Sequence, residues 1–168
     1  DEDYLTGPSW AFGYLGAGNY LNDGYIPNYW TGLYTLIHKA NYTAYRLNLM
    51  ENVTPEVKTK YLGELSFLKA WSYYMLVRAF GPVPVRKKSI SETGEQDVPR
   101  SPVMDVYGYI LELLDDAMKM CPKNTDEGFE TGMISAGAAA GLKVKVLCTI
   151  GSASLPAGTE IWVPGGIP

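Results

Sequence analysis

Residues 64–85, ELSFLKAWSYYMLVRAFGPVPV, limit what this chain can fold into more than any other stretch. Wound at helical pitch, the apolar side chains from Leu65 to Phe80 spread around most of the circumference. That is the pattern of a helix covered on several sides. Gly81 ends it, because glycine closes helices without a Cβ penalty. Pro82 and Pro84 then forbid continuation: each lacks an amide N–H and clashes with the turn before it. The chain leaves through an extended Pro-Val-Pro-Val run. A helix of this kind needs neighbours to bury it.

The neighbours are legible from periodicity. A first helix is predicted from about Pro27 or Asn28 to Asn48. Trp30, Leu33, Ile37, Ala40, Ala44 and Leu47 recur at helical spacing and form its apolar stripe. The second helix begins after Thr54, a natural N-cap, with Pro55 at the first helical position and Glu56 at the positive end of the dipole. Residues 86–100 read as a polar loop. Ser101-Pro102 restarts a third helix by the same cap-then-proline logic, with Asp105 in its first turn. Its apolar face carries Val103, Val106, Tyr107, Ile110, Leu114, Ala117 and Cys121, and Pro122 ends it.

A fourth helix is predicted over residues 134–149. Ala136, Gly137, Ala138, Ala139, Ala140 and Gly141 give it a small-residue patch suited to close backbone approach, although glycine weakens the helix itself. Residues 151–168 read as a loop-like tail. The outcome is an all-α chain: two helical hairpins of tetratricopeptide-like character over residues 26–150, with long loops and an irregular aromatic N-terminal segment. Strict internal repetition is not visible. One domain over residues 1–168 fits the length.

Composition closes several functional classes. A net charge of −4 argues against nucleic acid, which needs clustered cations to neutralise phosphates. The one dense basic run, Arg86-Lys87-Lys88, fits a solvated loop. No run is long and apolar enough to span a bilayer. The start at Asp1, without Met or signal segment, predicts a processed or excised piece. Cys121 and Cys148 do not make a disulfide framework. On neighbouring antiparallel helices they would lie ~20 Å or more apart at ~1.5 Å of rise per residue. A disulfide reaches only about 7 Å between Cα atoms. Free, mostly buried thiols are expected.

Catalytic and metal constellations are nearly absent. His38 is the sole histidine, and no spacing supplies it with the partners of a metal site or a hydrolytic triad. Glu112, Asp115 and Asp116 read as a solvated helix face. Glycoside hydrolysis would need one desolvated acid opposite another carboxylate. Glu64 is expected to pair with a Lys, Arg or backbone donor. Gly13, Gly16 and Gly18 lack the spacing and the following Lys of a phosphate-binding loop. Asn41-Tyr42-Thr43 and Asn52-Val53-Thr54 match the glycosylation sequon. No metal and no cofactor is implied.

The strongest candidate for ligand chemistry is the segment from Tyr4 to His38, dense in aromatics and nearly free of charged side chains. Aromatics with a polar handle suit surfaces that are half apolar and half wet. Sugar rings are such surfaces, with a C–H face for stacking and hydroxyls at the edge. Trp10, Tyr14, Tyr20 and Tyr25 are the candidate stacking residues. Asn22 and Asp23 are the candidate hydroxyl partners. Trp30 and Tyr29 fit the core of the first helix instead.

Several of these residues carry a family resemblance. Trp30-x-x-Leu33-Tyr34-x-x-Ile37-x-x-Ala40-Asn41 resembles the first helix of the SusD/RagB family. Glu64-x-x-Phe67-Leu68-Lys69-Ala70, with Leu76-Val77-Arg78-x-Phe80-Gly81-Pro82-Val83-Pro84-Val85, resembles the second. Pro99-Arg100-x-x-Val103, Val106-Tyr107-x-x-Ile110, Leu114-Asp115-x-Ala117 and Pro122 resemble the next. Lys69 stands where the family usually has Arg, and Pro82 where it usually has Asp.

The resemblance implies a tetratricopeptide-like scaffold and the N-terminal portion of a longer, lipid-anchored outer-membrane lipoprotein. Its anchor would lie outside this chain and would be its only membrane contact. It implies a cell-surface protein that binds a glycan or other nutrient and works with a TonB-dependent, SusC-like transporter, without enzymatic activity. Two other functions fit the residues alone. One is a helical-repeat module for protein partners, without carbohydrate binding. The other is a helical glycoside-processing enzyme using Glu64, Glu112 or Asp116.

Overall fold

The computed structural model describes residues 25–153. In chain order these form α1 (Tyr25–Leu49), α2 (Pro55–Phe80), β1 (Val83–Pro84), α3 (Ile90–Thr93), β2 (Arg100–Ser101), α4 (Val103–Met120) and α5 (Ala136–Ala153). By compactness the chain divides into residues 1–32 and residues 33–168. Of the first unit the described part is the opening turns of α1, and the second holds every other element. The fold is helical, as the periodicity predicts; among the described residues it also holds one small sheet that the periodicity does not.

Helix α1 starts two residues earlier than expected. Its predicted stripe is buried at Leu33, Ile37, Ala40 and Leu47, while Trp30 and Ala44 are half-buried. Tyr29, expected in that core, is 40% exposed, because it sits off the stripe. Helix α2 begins as read: the Thr54 hydroxyl accepts from the Val57 amide at 3.5 Å, and Pro55 opens the first turn. Such a cap is worth about 1 kcal/mol. Gly81 closes the helix at φ 67°, its amide bonded to the Val77 carbonyl at 2.9 Å.

Helix α2 is the hub. It packs most extensively on α4, and α4 in turn packs on α5. Tyr73, Leu76, Val77, Val106, Ile110 and Leu114 are fully enclosed. Tyr73 and Tyr109 meet edge to face, with ring centroids 5.5 Å apart. The Tyr74 and Thr149 hydroxyls, 2.8 Å apart, tie α2 to α5. Not all of the apolar circumference is covered, however. Trp71 is 39% exposed, on the same side as the exposed Val57 and Tyr61.

The loop read over residues 86–100 holds more order than its polarity suggests. Ser89 caps the single turn α3, and Gly94 closes it in the left-handed conformation at φ 71°. Strands β1 and β2 pair antiparallel, Val83 with Ser101 and Pro84 with Arg100. This pairing corrects the expected start of α4. Ser101 belongs to the strand, and the helix opens after Pro102 without a side-chain cap.

Helix α5 runs to Ala153, so residues 151–153 are helical and not tail. Its glycines do not serve the close approach expected of them, since a Cβ at Gly141 would meet nothing. Both cysteines are free, but Cys148 is exposed, contrary to expectation, and only Cys121 is buried.

Candidate functional site

The polar centre of the described fold lies where the chain leaves α2. Tyr34 on α1 donates its hydroxyl to the Pro84 carbonyl at 2.8 Å. Asn41, two turns further along α1, donates to the Arg86 carbonyl at 2.9 Å and reaches the Lys88 carbonyl at 3.4 Å. The Tyr73 hydroxyl donates to the Arg86 carbonyl at 3.2 Å and accepts from the Arg86 amide at 2.8 Å. Two helices thus grip a segment that proline keeps from forming its own helix. Burial holds the Tyr34 hydroxyl above its ordinary pKa, helped by nearby Tyr73. Burial also pushes Tyr73 up to about 12.

This centre decides two sequence candidates. Asn41 is only 4% exposed with its amide engaged, so the first sequon is sealed in the fold. The basic run is not a free cationic patch. The Arg86 guanidinium donates to the Glu95 and Gln96 carbonyls. Lys88 pairs with Glu92 at 3.1 Å, and Lys87 with Glu112 at 3.8 Å.

The carboxylates of α4 fall out as a wet face. Glu112 and Asp116 are exposed, and Asp115 pairs with Lys143 of α5. Glu64 is half-buried and forms no ion pair among the described residues, against expectation. It lies by the Cys121 thiol, whose pKa rises to about 11, first through burial and then through Glu64. Lys69, 9% exposed, has its pKa lowered by burial, with Asp116 opposing. His38 is exposed. Among the described residues no group of His, Cys, Asp and Glu could hold a metal ion. No helix among them is long and apolar enough to cross a membrane.

Of the candidate glycan residues, Trp10, Tyr14, Tyr20, Asn22 and Asp23 lie outside the described residues. Tyr25 is the first residue of α1. Among the described residues there are open grooves that sequence reasoning missed. One, about 520 Å³, lies between α4 and the Val85–Lys87 segment. Another, about 310 Å³, lies by Tyr42, Arg46 and Met50. The first had a signal in Gly108, a helix-weakening residue on the polar face of α4.

The profile of the SusD-like family described as "Starch-binding associating with outer membrane" matches residues 14–146, well over half of the chain. The chain belongs to the SusD-like family. Among curated SusD-like proteins, P2 from Formosa agariphila is 28% identical over 131 residues, 77% of this chain and 25% of that protein. A SusD superfamily structure from Parabacteroides distasonis is 33% identical, with a TM-score of 0.66 over 74% of this chain and 26% of that one. A laminarin-binding SusD-like protein, 24% identical with a TM-score of 0.66, covers 75% of this chain and 27% of that one; it shows the shared fold. This SusD-like chain spans between 17% and 25% of the length of the curated relatives it matches.

Proposed function

We propose that this SusD-like protein captures a neutral glycan at the outer-membrane surface and passes it to a TonB-dependent, SusC-like transporter. A lipid anchor would hold it there, and binding would proceed without turnover. The observation that carries this reading is the family match over residues 14–146, to a family described as starch-binding and associating with the outer membrane. The chemistry of the N-terminal segment supports it independently. Trp10, Tyr14, Tyr20 and Tyr25 supply faces for sugar C–H stacking. Asn22 and Asp23 supply acceptors and donors for hydroxyl pairs.

The test is calorimetric titration with malto-, laminari- and xylogluco-oligosaccharides, with tryptophan fluorescence as a second readout. Binding by at least one of them, weakened tenfold or more in Trp10→Ala or Tyr20→Ala, with the oligosaccharide recovered intact, supports the reading. No binding to any glycan, together with no transporter recovered alongside the protein from outer membranes, would sink it.

A further inference from the structure

We propose that the groove over Gly108 is a second seat for one sugar ring of a neutral oligosaccharide, separate from the aromatic N-terminal segment; the proposal rests on the glycan-binding function above. The groove holds about 520 Å³, inside the ~300–1,000 Å³ typical of ligand pockets. Its floor is the face of α4 that carries Asp105, Gly108 and Glu112, spaced so that all three share one side of the helix. The two carboxylates stand seven positions apart, a rise of ~10.5 Å at ~1.5 Å per residue. Gly108 lies between them, and a Cβ there would meet nothing within 4 Å. The saddle exists because the middle residue has no side chain.

The walls set the ligand chemistry. Lys87 reaches over from the segment after β1, pairs with Glu112 at 3.8 Å and stands 4.9 Å over the Tyr109 ring. Met104, 50% exposed, offers an apolar surface at one end, and Ser101 a hydroxyl. An anion would face two carboxylates with only one cation to hold it. A cation would compete with Lys87 for Glu112. A purely apolar ligand would strip water from Asp105, which makes no ion pair among the described residues. A polyol fits all of these groups. Its hydroxyls can donate to Asp105 and Glu112 and accept from Lys87 and Ser101, leaving the Lys87–Glu112 pair in place. Its C–H face can rest on Met104.

The test is an amide-shift titration of the isotopically labelled protein with maltotetraose, then with laminari- and xylogluco-oligosaccharides. The expected result is saturable shifts at Ser101, Asp105, Gly108 and Tyr109. They should vanish in Gly108→Phe, whose side chain fills the saddle, while its thermal midpoint stays within a few degrees. The nearly isosteric Asp105→Asn should weaken the same shifts about fivefold without blocking the groove. Saturable binding whose shifts avoid these residues, or persist unchanged in both variants, overturns the second seat and leaves the glycan function standing. No shift anywhere with any of the three sugars overturns the second seat, and the glycan function falls with it when no transporter is recovered alongside the protein either.

Discussion

Gly63 of α2 faces Cys121, the residue that closes α4, with no space between them. A Cβ at position 63 would stand 2.9 Å from the Cys121 amide nitrogen, 2.9 Å from its Sγ and 2.8 Å from the Met120 Cβ. Two of those atoms are backbone or next to it, so neither helix can yield cheaply. The crossing of α2 and α4, the largest packed surface of the fold, depends on that glycine. Gly63→Ala is therefore expected to destabilise by about 1–3 kcal/mol, the usual range for overpacking. It should do so despite the ~0.5–1 kcal/mol that alanine gains over glycine in a helix. Gly108→Ala, with open space around its Cβ, should show that gain alone. Urea midpoints of the two variants should move in opposite directions.

Asn41 makes the second prediction. Its amide serves the Arg86 and Lys88 carbonyls, and its own Oδ1 is buried without a hydrogen bond. Asn41→Leu removes the donor and is expected to cost about 1–3 kcal/mol, the desolvation penalty of unsatisfied buried groups. Asn41→Asp should cost more at neutral pH, because it turns a carboxylate toward those carbonyls. The difference between the two variants should shrink in acid, where the carboxyl protonates and can donate. Chemical unfolding at pH 4 and pH 7 measures it.

The buried acids of the core give a pH dependence with a definite sign. Cys121 is raised to about 11 and Tyr73 to about 12, each mainly by burial, and burial raises Tyr34 and Tyr109 as well. Raised folded values mean that the unfolded chain releases these protons first. Over that range it binds fewer protons than the folded chain, so stability falls as pH rises. Stability from these groups should be complete below about pH 9 and be lost between about pH 9 and 12, from the ordinary thiol and phenol values upward. Circular dichroism during alkaline titration follows it. Tyr73→Phe should reduce the part of the loss above pH 10, after starting less stable because the Arg86 amide loses its acceptor.

Much of the helical scaffold was legible because its signals are local. Thr54-Pro55 and Gly81-Pro82 fix both ends of α2, and the 3.6-residue stripe of α1 names four of its buried side chains. Ser101-Pro102 shows where local signals fail. The pair reads as a helix start, yet Ser101 joins a strand with Val83, eighteen residues upstream, and only tertiary pairing decides that. The glycines of α5 misled in the same way. In the α5 patch it is Ala139 that packs, against Ala117 and Cys121, and not the glycines; the tight contact of a glycine formed at Gly63, isolated in an otherwise strong helix. Trp71 was expected inside as part of an apolar helical circumference, and Cys148 as a mostly buried thiol. Which face of a helix is covered depends on neighbours that periodicity does not place. Gly108 hinted at the groove above it, but its walls could not be read, since Lys87 and Glu112 meet only once the chain has folded.

The most direct test of the account is the affinity of the protein for neutral oligosaccharides, measured by calorimetry on wild type and on Tyr20→Ala. Saturable binding in the wild type, lowered tenfold or more in the variant, is what the account predicts. Wild-type protein that releases no heat with any malto-, laminari- or xylogluco-oligosaccharide at millimolar concentration would contradict it.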